Sequence, residues 1–322
     1  MTARTPIVIA HRGASGERPE HTLAAYDLAI DHGADFIEPD LVVTRDGVLV
    51  ARHETEISET SDVAGRPEFA GRRTGKTIDG REVTGWFAED FTLSELRSLR
   101  ARERIPHLRP ANARFDGQFA VPTLAEILTL VRAREAGTGR RIGIYPELKH
   151  PSFLEAQGHD VVALLVEQLH AAGYTSAAEP VFLQCFEVGP LERLAGLTDL
   201  RRIQLASAAG GPADRPELTY SQMLESSGLA RIARYAQGIG VELSLVLGPD
   251  GTPTGLVDAA HAAGLEVHAW TLRRENAFLP PALQRGDDPA APGDFAALWR
   301  RLADAGVDGV FTDHPREAVQ AR

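Results

Sequence analysis

Two histidines bracket two carboxylates near the start of the chain: His11 and His53 flank Glu38 and Asp40, and each ends or sits within a short apolar run. Residues i and i+2 of a strand share a face. A strand over 36–42 therefore presents Glu38 and Asp40 side by side. Two like charges that close repel and disturb each other's ionisation unless a cation lies between them. Glu147, at the end of a later apolar run, completes an all-oxygen set. Mg²⁺ and Ca²⁺ take such ligands, whereas zinc draws on His or Cys. Histidine titrates near neutrality, so one neutral and one protonated imidazole serve as base and acid. Arg12 and Lys149 adjoin these groups. A guanidinium forks two phosphate oxygens and an ammonium adds a point charge, so the pair suits a phosphoryl group. The bland competing role, in which the carboxylates simply neutralise Arg12 and Lys149, is compatible with a metal.

The elements that must position these residues are legible as alternating apolar runs and helical periodicities. Core strands are expected at 7–10, 36–42, 142–148, 181–185, 200–205, 241–246, 265–270 and 307–312. Helical patterns fall between them, among them 20–33, 123–136 with a Thr123/Glu126 capping box, 153–172, 221–237 and 294–305. Eight strand–helix repeats predict an α/β fold, a (β/α)₈ TIM barrel, with a doubly wound sheet as the alternative. From 54 to 120 the pattern breaks, with one modest helical piece at 93–104. A structureless loop of that length is foreign to a compact domain, so this stretch is expected to be an insertion subdomain within a single catalytic domain spanning 1–322. In such barrels chemistry gathers at the C-terminal ends of the strands. His11 follows strand one, Glu38 and Asp40 lie in strand two, and Glu147 and Lys149 end strand three. Gln184 is late in strand four, Trp270 ends strand seven, and Asp313 follows strand eight.

Composition narrows the partners. Of 322 residues, 43% are hydrophobic and 25% charged, an ordinary globular balance, and the net charge of −11 argues against nucleic acid. The single Cys185 excludes an intramolecular disulfide and reads as a buried thiol. No apolar stretch approaches the ~20 residues that span a bilayer, so no stable membrane insertion is expected. No apolar run of signal-peptide type precedes the first strand, which predicts a cytoplasmic location, or a periplasmic or secreted one if a leader has been removed.

His11-Arg12-Gly13, Pro19-Glu20-His21-Thr22, Glu38-Pro39-Asp40, Asp46-Gly47 and His53 resemble the signature of the glycerophosphodiester phosphodiesterase family. Pro122-Thr123-Leu124, Glu147-Leu148-Lys149, Gln184-Cys185-Phe186, Ala269-Trp270-Thr271 and Thr312-Asp313 extend the likeness over the whole barrel. The resemblance implies hydrolysis of glycerophosphodiesters, such as glycerophosphocholine or glycerophosphoethanolamine, to glycerol 3-phosphate and an alcohol. It implies one divalent cation, Ca²⁺ or Mg²⁺, on Glu38, Asp40 and Glu147, with His11 and His53 as the acid–base pair. Arg12 and Lys149 would hold phosphate, Gln184 would join the substrate site, and Trp270 and Phe186 would pack against the glycerol carbons. The excursion after His53 looks like the insertion of bacterial members. Two positions depart from the family's pattern: His21 stands where Asn is usual, and Glu54 where Asp is usual. His21 is expected to hold the catalytic loop by a hydrogen bond, the alternative being a third titrating group that alters the pH profile. The rival activity is a related barrel phosphodiesterase acting on lysophospholipid or sphingomyelin-type substrates, which would need an apolar lip that 54–120 lacks.

Overall fold

The computed structural model describes residues 5–322. Its strands are β1 (Ile7–His11), β2 (Phe36–Glu38), β3 (Asp40–Val43), β4 (Leu49–Ala51), β5 (Thr74–Ile78), β6 (Arg81–Gly85), β7 (Gly143–Ile144), β8 (Glu147–Leu148), β9 (Phe182–Cys185), β10 (Arg201–Ala206), β11 (Gly238–Glu242), β12 (Glu266–Leu272) and β13 (Gly309–Thr312). Pairing is parallel from β8 through β9, β10, β11, β12 and β13 to β1 and then β2. The remaining seam closes in two halves, β2 on β7 and β3 on β8. Pro39 separates β2 from β3, and Pro146 lies between β7 and β8. Proline removes an N–H but keeps its carbonyl. Pro39 O accepts from Glu147 N at 3.0 Å and Pro146 O from Gln184 N at 3.0 Å, so the ladder runs on past both breaks. The two halves are single barrel staves, and the expected eight-stave TIM barrel is what the chain forms.

The barrel interior is filled by Ile9, Phe36, Tyr145, Phe182, Ile203 and Phe311, each from a different stave and each buried. Gly143 makes room for this layer: a Cβ there would lie 2.1 Å from the Phe36 ring. Outside the staves a larger apolar shell packs against the helices, with Leu165, Leu191, Leu298 and Trp299 pointing inward. The helix Leu124–Thr138 begins with the expected Thr123/Glu126 capping box.

Besides the two interrupted staves, four expected elements differ. The strand expected at 241–246 is β11, three residues earlier, and Leu243–Val246 turns into a short helix at the rim. Gly238 and Gly240 mask the strand in the sequence, yet their missing Cβ atoms are what admit Ile203 and Leu205 of β10. The helix expected at 153–172 is two, Pro151–Ala156 and Val161–Ala171, because Asp160 caps a fresh start by accepting from Ala163 N. The 221–237 helix divides likewise into Tyr220–Leu224 and Ser226–Ile232. The 93–104 piece stops at Leu96, since Asp62 captures Arg100 N and Phe119 O captures Ala101 N.

Residues 54–120 carry the β5–β6 hairpin, short 3₁₀ turns and two helices of four residues. Phe69, Phe91, Leu96 and Leu99 form their apolar centre, and Val42 and Val50 of the β3–β4 hairpin belong to the same cluster. The barrel thus contributes to the insertion's core. Phe91→Ala is expected to cost about 3–5 kcal/mol and to shift one cooperative urea transition read by both fluorescence and circular dichroism. An early, separate transition would show that the insertion folds on its own.

Candidate active site

Glu38 ends β2 and Asp40 opens β3, straddling Pro39, while Glu147 opens β8 directly opposite Asp40. The strand expected at 36–42 is therefore interrupted between its two carboxylates, but it still brings them together. One oxygen from each of the three buried side chains lies within 4.8 Å of the others. Glu38 accepts from Arg12 N at 2.8 Å and from the Gln184 amide at 3.0 Å. Asp40 Oδ2 meets His21 Nε2 at 2.9 Å and Arg12 Nε at 3.3 Å. Lys149 Nζ donates to Glu147 at 2.8 Å. Asp40 Oδ1 is buried with no partner.

The charges do not balance within this group. Burial, then Asp40 and Glu147, pushes Glu38 well above the usual carboxylate range. Burial also raises Glu147, to about 8, against the pull of Lys149. For Asp40 burial is outweighed by Lys149 and by the hydrogen bond with His21, which hold it well below that range. Three carboxylates here are one cation short of comfort.

Each histidine leans on a carboxylate. His11 Nδ1 lies 2.6 Å from Asp313 Oδ1, and His53 Nδ1 bonds Glu54 Oε1. Burial, followed by Arg12, lowers His11 to about 4; burial, Arg12 and Lys149 lower His53 to about 3. Both rings are thus neutral at rest. A neutral ring that gives its Nδ1 proton to a carboxylate turns a basic Nε2 the other way.

Both rings line one cavity of about 590 Å³ with Arg12, Glu38, Glu147, Lys149, Gln184, Phe186, Trp270 and Arg273. Nine of the ten expected site residues line it, and the tenth, Asp40, is buried against Arg12 and His21. Phe186 and Trp270 meet edge to face, ring centres 5.9 Å apart, and form its apolar wall. Gln184 and Lys149 each bond a carboxylate of the triad as well as facing the cavity. His21 does more than hold the loop: its backbone N–H bonds Arg12 O, while its ring joins Asp40 to the Tyr26 hydroxyl. Reading the sequence alone misses Arg104 and Arg109, whose partners lie up to 204 positions away.

The glycerophosphoryl diester phosphodiesterase family model matches residues 11–317. The chain belongs to that family. It is 35% identical to glycerophosphodiester phosphodiesterase GDPD6 of Arabidopsis thaliana, over 96% of this chain and 83% of that protein. It is 29% identical to the glycerophosphodiester phosphodiesterase of Haemophilus influenzae, over 98% and 89% of the two chains. Among solved structures, a phosphodiesterase of Oleispira antarctica in complex with its product sn-glycerol-3-phosphate aligns with a TM-score of 0.65 at 23% identity, covering 98% of this chain and 96% of that one. A family relative from Silicibacter pomeroyi gives 0.69 at 24% identity, over 99% and 93%. The protein is an enzyme of this family's activity, a phosphoric diester hydrolase. Among its described residues no helix is long and apolar enough to cross a membrane.

Gly13 sets the catalytic loop. Its φ is +88°, and a Cβ would lie 2.6–2.8 Å from the backbone and side chain of Ala25. Gly13→Ala is expected to destabilise by more than ~1 kcal/mol and to cut turnover by pushing the loop that follows His11 and Arg12 away from Ala25. Beside the apolar wall, Glu187 is buried against Ser152, and burial raises it from 4.5 to about 7. The native state carries this penalty above pH 7 and escapes it below pH 4.5, so the group's share of stability falls as pH rises through that window. Glu187→Gln should raise the melting temperature at about pH 8, with the gain vanishing toward pH 4.5.

Proposed function

We propose that this enzyme cleaves small glycerophosphodiesters, glycerophosphocholine and glycerophosphoethanolamine among them, to glycerol 3-phosphate and an alcohol, with one Ca²⁺ or Mg²⁺ and two histidines. The observation that carries this reading is the juxtaposition of three converging buried carboxylates with two carboxylate-backed imidazoles on one cavity. The product found in the Oleispira relative agrees with it. The donor set fits a hard divalent cation, being all oxygen, with Asp40 Oδ1 left without a partner and Glu38 burdened by its neighbours. When bound by Glu38, Asp40 and Glu147, such a cation supplies positive charge against the phosphoryl oxygens.

The remaining steps belong to the chain's own residues. Arg12 and Lys149 bind the phosphoryl group and stabilise charge as it develops there. One imidazole Nε2 takes the proton of the attacking hydroxyl, which belongs to water or to the neighbouring glycerol carbon; in the second case a cyclic phosphate forms as the alcohol leaves, and water then opens it to glycerol 3-phosphate. The other imidazole delivers a proton to the departing alkoxide. Arrival of an anionic diester beside the rings raises their proton affinity and charges one of them. Trp270 and Phe186 pack against the glycerol carbons and keep water from that side.

EDTA should abolish turnover of glycerophosphocholine, and added Mg²⁺ or Ca²⁺ should restore it. Glu38→Gln and Glu147→Gln should require far more metal for half-maximal rate. His11→Ala and His53→Ala should each lower kcat roughly 10²–10⁴-fold. Near-normal turnover in either histidine variant, or indifference to chelation, sinks the mechanism. Faster cleavage of lysophosphatidylcholine than of glycerophosphocholine would transfer the substrate assignment to lysophospholipids.

A further inference from the structure

Each histidine rests on a carboxylate, and each carboxylate is gripped by an arginine from the 54–120 insertion. Arg109 Nη2 donates to Asp313 Oδ2 at 2.6 Å, leaving Oδ1 for His11. The same guanidinium donates through Nε to Glu275 at 2.7 Å and through Nη1 to Ser15 O at 3.2 Å. Five residues earlier, Arg104 forks Glu54 at 2.8 and 3.1 Å, and Glu54 holds His53. Its other edge forks Glu20 at 2.7 and 2.9 Å, and Glu20 pairs with Arg12. The linking segment folds onto itself, with Arg109 N on Ile105 O, and docks on the catalytic loop through Asn112, which also donates to Ser15 O.

We propose that Arg104 and Arg109 are positioning residues, through which the insertion sets both proton-transfer histidines in the orientation that turns Nε2 to the substrate. This rests on the reading of His11 and His53 as the acid–base pair. A carboxylate fixes the tautomer and tilt of an imidazole only as well as it is itself fixed. Asp313 is buried and short, and Arg109 and Arg273 share its second oxygen. Glu54 has one more rotatable bond, and its side chain keeps 35% of its exposure, so rotamer entropy favours its release. A two-pronged arginine is the group that removes that freedom. Docking alone would not need the contact at these atoms, because the insertion already shares an apolar core with β3 and β4.

The test uses the whole chain with saturating divalent cation and glycerophosphocholine. Arg104→Met and Arg109→Met are expected to lower kcat about 10–100-fold, as loss of an outer partner does, with KM changed less than about threefold and circular dichroism unaltered. Glu54→Gln should reproduce the Arg104→Met loss. In the His53→Ala background Arg104→Met should cost nothing further, and likewise Arg109→Met in His11→Ala, since a coupled pair is not additive. The crossed pairs, Arg104→Met with His11→Ala and Arg109→Met with His53→Ala, should keep the full single-variant loss. If Arg109→Met fails to fold, Arg109→Lys keeps the charge without the fork and is read in the same way. A kcat within about twofold of the parent, or an undiminished cost in the matching histidine background, overturns the proposal. Near-normal turnover of the His→Ala parents overturns the acid–base reading instead, and the two failures are told apart by those parents alone.

Discussion

Three carboxylates share a buried space less than 5 Å across, and the rest of the molecule has to pay for that crowding. Desolvation and mutual repulsion each cost several kcal/mol for an ionised carboxylate in such surroundings, so no one of them is stable there by itself. Arg12, Lys149 and His21 supply positive charge or protons, and Gln184 and the Arg12 amide supply dipoles. Asp40 takes most of this help and stays ionised, while Glu38 and Glu147 are left wanting a cation. Arg12 does so from a left-handed backbone at φ 58°, held by its N–H on Glu38 and its O on His21. Strain at a residue of this kind persists only when its surroundings over-determine it, and here the cluster does.

The barrel is what makes such crowding tolerable. Parallel staves present their C-terminal ends to one mouth, so His11, Glu38, Asp40, Glu147 and Gln184 become cross-strand neighbours by register alone. The two prolines that interrupt staves two and three lie beside carboxylates, Pro39 between Glu38 and Asp40 and Pro146 directly before Glu147. Each gives up one ladder donor at the rim, yet both carbonyls still accept. An acidic chain of net charge −11 can hold an anionic diester because the field at the mouth is local, with Arg12, Lys149 and Arg273 all facing the cavity.

Much of this is legible in the sequence. The apolar runs marked seven of the eight staves within a few residues, since a buried parallel strand is a short unbroken apolar segment. The triad and both histidines could be chosen because strand parity and strand ends place them. What escaped detection is what local pattern does not encode. β11 hides behind glycines whose value lies in the side chains opposite, and the long helices break where a distant or capping side chain offers a better hydrogen bond. His21 looked like a loop anchor because nothing in its neighbourhood reveals that Asp40 ends up against its ring. Arg104 and Arg109 sit in a stretch without periodicity, and their partners come from four parts of the chain: Ser15 and Glu20, Glu54, Glu275, and Asp313.

The insertion therefore has two physical relations to the barrel. Through Val42 and Val50 it shares an apolar core, a contact that is broad and tolerant of small shifts. Through Arg104 and Arg109 it makes charged, directional contacts that tolerate little displacement. The position after His53 shows how these are linked. Glu54 has one more rotatable bond than an aspartate would have and loses more entropy when ordered. Arg104 bonds at once to Glu54 and to Glu20, and Glu20 pairs in turn with Arg12. One guanidinium thus couples the carboxylate behind an imidazole to the carboxylate behind a proposed phosphate ligand. A shift of the insertion by the length of a hydrogen bond would reach both.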